Sequence, residues 1–217
     1  MKKGTAVAMA VLAAGMVFGG LGCQRAAGPP PGWTVAYTTD FSGTSAPEWM
    51  LLEGKSEVAG GMLVVNGPEQ ETQLILKDHK FPGSVMVDVV GSVSGNTVSD
   101  LSPILNADDS GYRGGYLLQF GGRKNTLDQL MKQGDDIAAT VKKQPLLVPG
   151  KAYHVVAVND GGKISLQVDG AEVFQYTDAS PLKGAGHELI GFYTYHTILK
   201  LDKVTVYVKK DEAAEKK

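Results

Sequence analysis

Tyr193, Tyr195 and His196 end an alternating run, Leu189–His196, while Gln119, Arg123 and the pair Tyr112-Arg113 lie farther upstream. These residue types suit a sugar. Aromatic faces cover the C–H surfaces of a pyranose, and amide or guanidinium forks hydrogen-bond to vicinal hydroxyls. If Ile190 and Phe192 face a core, the period of two turns Tyr193 and Tyr195 outward together and leaves His196 pointing inward or to the rim. The alternative role for the two tyrosines is cross-strand pairing that only steadies the sheet. Arg123 follows Gly121-Gly122, where it could hold ligand hydroxyls or pair with Asp128 or Asp135.

The acids are less informative. Cleavage of a glycosidic bond needs two carboxylates at a fixed separation, one protonated and one ionised. Asp100, Asp108, Asp109, Asp135 and Asp136 all fall in stretches that read as loops or turns, where Asp serves the backbone through its side chain. Asp108 and Asp109, with the 96–100 loop, are weak candidates for a calcium site, which wants six to eight oxygens. No resident cofactor is expected. His79, His154 and His187 have no metal-ligand spacing, and no phosphate loop, dinucleotide fingerprint or Ser-His-Asp ordering is present.

The elements that must position these residues read as strands. Ile164, Leu166 and Val168 alternate with Ser165, Gln167 and Asp169, and Asp169-Gly170 marks a tight hairpin returning through Val173, Phe174 and Tyr176. Leu199, Leu201, Val204 and Val206 form a last run whose parity changes near Asp202-Lys203, the mark of a bulge. Upstream, strands are expected over Val35–Phe41, Trp49–Leu52, Glu57–Ala59, Met62–Val65, Thr72–Leu76, Leu101–Asn106, Tyr116–Phe120, Lys142–Val148 and Tyr153–Val158. Ser84–Val90 is apolar on both parities and reads as a central strand, with Gly91–Asp100 as the loop after it. Residues 123–133 are ambiguous. Leu127, Leu130 and Met131 have helical spacing, yet the run could equally be an irregular strand. Many short strands without a long helix indicate an all-β sandwich.

Val168-Asp169-Gly170, Asp178, Pro181-Leu182, Gly184, Ile190-Gly191-Phe192 and Leu201-Asp202-Lys203-Val204-Thr205-Val206-Tyr207 together resemble concanavalin A-like (laminin-G-like) jelly-roll domains, and within them the 3-keto-disaccharide hydrolase type. The resemblance covers about residues 35–208. It implies a two-sheet antiparallel sandwich with a ligand site on a concave sheet or its rim loops, and calcium at the rim in some members. Many hydrolases of that fold carry Glu-x-Asp-x-x-Glu on one strand. No such string occurs here, and Ser84–Val90 holds only Asp88.

The ends of the chain read as export and anchoring. Lys2-Lys3, the apolar run Ala6–Phe18 and Gly22-Cys23 resemble a bacterial lipoprotein signal, too short in its apolar part to span about 30 Å of hydrocarbon. Residues 1–22 are then a signal peptide, Cys23 the lipidated residue, 23–32 a Pro/Gly-rich tether, 33–208 the sandwich and 209–217 a charged tail. Cys23 is the only cysteine, which excludes an intrachain disulfide and a cysteine nucleophile in the domain. A net charge of -2 argues against a nucleic-acid surface. The expected protein is a membrane-anchored lipoprotein of the bacterial envelope that binds a carbohydrate or other envelope ligand. A glycoside hydrolase of the type named and a structural or protein-interaction module stand as the alternatives.

Overall fold

The structure, a computed structural model, describes residues 28–67, 71–142 and 146–209. The signal segment, Cys23 and the tail from 210 onward lie outside the described residues. Fifteen strands follow one another: β1 (Trp33–Thr39), β2 (Trp49–Leu51), β3 (Lys55–Ala59), β4 (Met62–Asn66), β5 (Glu71–Leu76), β6 (Val85–Ser94), β7 (Ser102–Ala107), β8 (Tyr116–Gly121), β9 (Leu127–Lys132), β10 (Asp135–Lys142), β11 (Ala152–Asp160), β12 (Lys163–Val168), β13 (Ala171–Thr177), β14 (Leu189–Tyr195) and β15 (Ile198–Lys209). All pairings are antiparallel. One sheet runs β13-β12-β11-β6-β15-β4-β3 with β1 also beside β15, and the other runs β10-β9-β8-β7-β14-β5-β2.

Alternation builds the core between them. Val85, Val87 and Val89 of β6 meet Leu74 and Leu76 of β5, Tyr116, Leu118 and Phe120 of β8, and Ile190 and Phe192 of β14 in one buried cluster. Burying such side chains is worth roughly 1.5–3 kcal/mol each, so this shared inner layer fixes which face every strand turns outward. β6 is central, as its apolar character implies, between β11 and β15. Its outer residues Met86, Asp88 and Val90 are only half-buried, so no second layer packs on them. The strand also continues to Ser94, into the stretch expected to be loop.

Three local readings need correction or completion. Residues 123–133 form no helix: a tight turn over Gly122–Asn125, with Arg123 and Lys124 in left-handed backbone conformations, leads into β9. Leu130 goes into the core there while Met131 faces out, the separation a strand requires. Asp135 and Asp136 are not loop residues but open β10, which the sequence pattern does not announce. Leu146–Val148 is not strand. Its backbone is held instead by Asn125, whose amide bonds both Leu147 N and Leu147 O at 2.8 Å, and by the Tyr153 hydroxyl on Val148 N. The Asp169-Gly170 hairpin has both residues at positive φ, and the β15 register shifts between Leu201 and Lys203 where the bulge is expected.

The first strand begins beside the end of the last one, because Trp33 pairs with Lys209. Tyr195 lies at the other pole, three residues before the start of β15. The 12 residues of β15 span about 36 Å at roughly 3.3 Å per residue.

Candidate functional site on the seven-stranded sheet

The outer face of the seven-stranded sheet carries a second apolar cluster. Ile75, Ile104, Leu117, Leu189 and Tyr193 are buried there, with Met131, Tyr112 and Tyr195 packed against them. A strand face turned away from the core does not bury such residues unless something covers it. Here the 108–115 loop does so by folding back across the sheet. Tyr112 N donates to Gln73 Oε1 at 2.9 Å, and Arg113 donates to both carboxylate oxygens of Glu71 at 2.8 and 3.3 Å. Gly111 makes this approach possible, since a side chain at that position would collide with the Gln73 amide.

Between this loop and the Gly122–Asn125 turn lies a depression of about 150 Å³, lined by Tyr112, Leu117, Gln119, Arg123, Gln129, Met131, Asp136 and Tyr193. Four residues singled out from sequence, Tyr112, Gln119, Arg123 and Tyr193, therefore share one site. Tyr195 does not line it. It faces the same side two residues on, with His196 packed against its ring at 4.1 Å between centroids. Tyr193 meets Tyr112 edge-on at 5.3 Å, and the Arg113 guanidinium covers the Tyr112 ring at 4.8 Å.

A chain of hydrogen bonds holds the polar lining. Gln119 Nε2 donates to Asp100 at 3.0 Å, and Gln129 Nε2 donates to Gln119 Oε1 at 2.6 Å and to Asp136 at 3.1 Å. Arg123 closes the chain on Asp136 at 2.9 Å, rather than on Asp128 or Asp135. Ser99 and Ser102 also donate to Asp100. Gln119 and Gln129 are only 6% and 5% exposed, so the network fixes both amides in single orientations. Capacity is left over. No described residue bonds the Gln129 carbonyl or the Tyr193 hydroxyl, and Tyr193 is 8% exposed. Burial drives the Tyr193 phenol far above its ordinary range, so it stays a neutral donor and acceptor.

Two acids lie beneath this layer. Asp100 is pushed up to about 7 by burial against the opposing pull of Ser99, Ser102 and Gln119, and Asp128 to about 6, again by burial. Asp128 accepts from Gly121 N at 2.8 Å, while its other oxygen is buried without a partner. Neither lines the depression. Strands β7, β8 and β14, the middle of the sheet, contain no Asp or Glu. Asp108 binds its own turn through Ser110 N and Oγ, and among the described residues no three acids, histidines or cysteines gather as a metal cluster. Sequence reasoning missed Glu71 and Gln129, and read Asp136 and Asp100 as turn residues rather than as the acids that hold Gln129, Arg123 and Gln119. The strand over residues 127–132 pairs Gln119 with Gln129, but the turn that sets this register holds Arg123, Lys124 and Asn125 at positive φ, which nothing local in the sequence marks.

A larger hollow, about 910 Å³, opens over β3 and β4, with Met62, Val64 and Ile198 among its lining and Lys55, Glu57 and Lys200 around it. Its apolar residues are half-buried and no polar side chain there is fully buried.

No protein-family model matches the chain, and no curated protein matches it in sequence. Its fold is shared. It is similar to a Bacillus subtilis protein of unknown function with a galectin-like fold, at 16% identity over 81% of this chain and 97% of that one, TM-score 0.63. The exoplasmic/lumenal domain of VIP36, in a form bound to calcium and Man3GlcNAc, matches at 8% identity over 76% and 87%, TM-score 0.59. SCLam, a non-specific endo-beta-1,3(4)-glucanase of family GH16, matches at 12% identity over 83% and 93%, TM-score 0.58. The chain is an all-β sandwich of the concanavalin A-like, jelly-roll kind.

Proposed function

We propose that the protein is an exported, lipid-anchored lectin-like module that binds a glycan in the depression between the 108–115 loop and the Gly122–Asn125 turn. The observation that carries the reading is the spare hydrogen-bonding capacity of two rigidly held side chains that open into the depression. Among the described residues the Gln129 carbonyl and the Tyr193 hydroxyl have no protein partner, and they stand beside an apolar floor of Leu117 and Met131. Both atoms reach solvent, and a ligand hydroxyl would replace their water contacts with hydrogen bonds of fixed geometry, worth about 0.5–1.5 kcal/mol each. VIP36, similar in fold, was captured with a glycan, which supports the same ligand class here.

The hydrolase alternative lacks support in the geometry: no carboxylate stands on the central strands, and the acids with raised pKa lie under Gln119 rather than in the depression. The proposed contacts are amide, hydroxyl and guanidinium groups, so the reading calls for no metal. The proposed anchor at Cys23 agrees with the pole at which the chain enters, because tethering there would hold the Tyr195 end away from the membrane.

A glycan array probed with the full chain and with Gln129→Leu tests the binding claim, in the presence of a chelator and then of added calcium. Binding by the native chain that the variant loses is the expected result, unchanged by calcium. Equal binding by both would remove the site from this depression, and a calcium requirement would bring the Asp108–Asp109 turn back into consideration. For the anchor, Cys23→Ala should move the protein from the membrane fraction to the soluble one.

A further inference from the structure

The charges around the depression are already matched. Arg123 pairs with Asp136 at 2.9 Å on one bank, and Arg113 with Glu71 at 2.8 Å on the other. Each guanidinium on the banks of the depression thus has a carboxylate at its side. An acidic sugar could recruit Arg123 only by breaking that pair and then resting against Asp136, which repels it. The groups with spare capacity, the Gln129 carbonyl and the Tyr193 hydroxyl, carry no charge, and the floor of Leu117 and Met131 is apolar.

The depression is also closed at both ends of the row that crosses the strands. The row runs from Gln73 through Tyr193 to Gln119 and Gln129, following the pairings of β5 with β14 and of β8 with β9. Tyr112 and Arg113 block it at the β5 end, where they bind Gln73 and Glu71. Arg123 and Asp136 block it at the β10 end. The space between them, about 150 Å³, is half or less of the roughly 300–1,000 Å³ of ordinary small-molecule pockets.

We propose that the depression accepts one uncharged sugar residue at a chain end or branch tip, and discriminates against uronic acids and against internal stretches of a polysaccharide. The proposal rests on the glycan-binding reading and specifies its ligand. Asp136 is the residue that sets the charge preference: it neutralises Arg123 and presents its own negative charge to the incoming ring.

The test uses the full chain against glycans ending in glucose, galactose or mannose, each compared with the same glycan oxidised at its terminal residue to the uronic acid. A ladder from disaccharide to hexasaccharide of whichever neutral glycan binds completes the panel. The expected result is a loss of about tenfold or more on oxidation, the size of one charge-assisted contact turned to repulsion. Affinity should stay within about threefold along the ladder, because only the terminal ring is gripped. Asp136→Asn, half-exposed and outside the core, should shrink the preference for the neutral glycan, read as the ratio of neutral to uronic acid affinity in the variant against the same ratio in the native chain. Equal or tighter binding of the uronic acids, no fall of that ratio in Asp136→Asn, or affinity that climbs about tenfold with chain length would each overturn the proposal and leave the glycan reading standing. Absence of binding to every glycan in the panel would overturn both.

Discussion

The two outer faces of the sandwich are built from the same alternating strands and end up chemically unlike. On the eight-stranded sheet most outward residues are half-buried or exposed and satisfy one another at the surface, as His154 does with Asp88 at 2.8 Å. On the seven-stranded sheet the outward residues are buried beneath a loop that folds back, and three amides, Gln73, Gln119 and Gln129, are about 95% buried with them. The larger hollow belongs to the first face and the smaller to the second. Volume is therefore a poor guide here. Rigidly held polar groups with unused capacity distinguish a site from a groove between exposed side chains.

Adjacent residues give the widest test of this contrast. Phe192 and Tyr193 sit side by side on β14 and face opposite ways. Phe192→Ala should cost about 3–5 kcal/mol of stability in chemical denaturation, as expected for an emptied core position. Tyr193→Phe should leave the denaturation midpoint almost unchanged and weaken glycan binding about tenfold, the worth of one hydroxyl hydrogen bond. A glycan affinity equal to the native value in Tyr193→Phe would assign the tyrosine to the sheet alone.

The amide chain comes next in size. Gln119→Leu removes the donor to Asp100 and the acceptor of Gln129 together, so about 1–3 kcal/mol of stability should go with the binding. Thermal melts and titrations on the same preparation would show whether the two losses accompany each other.

Acidity separates the faces further. Asp100 and Asp128 have native pKa values of about 7 and about 6, above the ordinary value of 3.8. Between about pH 4 and 7 the folded chain keeps protons that the unfolded chain has released, so stability falls as pH rises through that window. Asp128→Asn removes the unpartnered buried charge. It should raise the melting temperature at pH 8 and change it little at pH 5. A native melting temperature that climbs from pH 5 to pH 8 by an amount Asp128→Asn does not alter would contradict the burial argument. The smallest effect belongs to the other face. His154→Ala, at a half-exposed hydrogen bond to Asp88, should shift stability by no more than about 0.5 kcal/mol and leave glycan binding untouched.

What could be read from sequence follows the same division. Strand patterning, the Asp169-Gly170 hairpin, the bulge in β15 and the outward pairing of Tyr193 with Tyr195 are local consequences of alternation and turn chemistry, and they are legible. β10 is not, because Asp135-Asp136 carry the composition of a turn. The β8–β9 connection uses Arg123, Lys124 and Asn125 at positive φ, a conformation that glycines usually mark, so the register bringing Gln129 beside Gln119 has no local signal. Glu71 and Gln73 enter the site only through a loop some forty residues farther along the chain. The candidate aromatics were thus visible one by one, whereas the acids and amides that order them depend on long-range pairing.

The most direct measurement is an NMR titration of the full chain with a glycan that the array identifies, following the side-chain amide resonances of glutamine and asparagine. The account predicts that the Gln119 and Gln129 NH₂ signals shift in proportion to binding while Asn66, beside the larger hollow, stays still. Movement of Asn66 with Gln119 and Gln129 unperturbed would place the glycan on the other face and contradict the account.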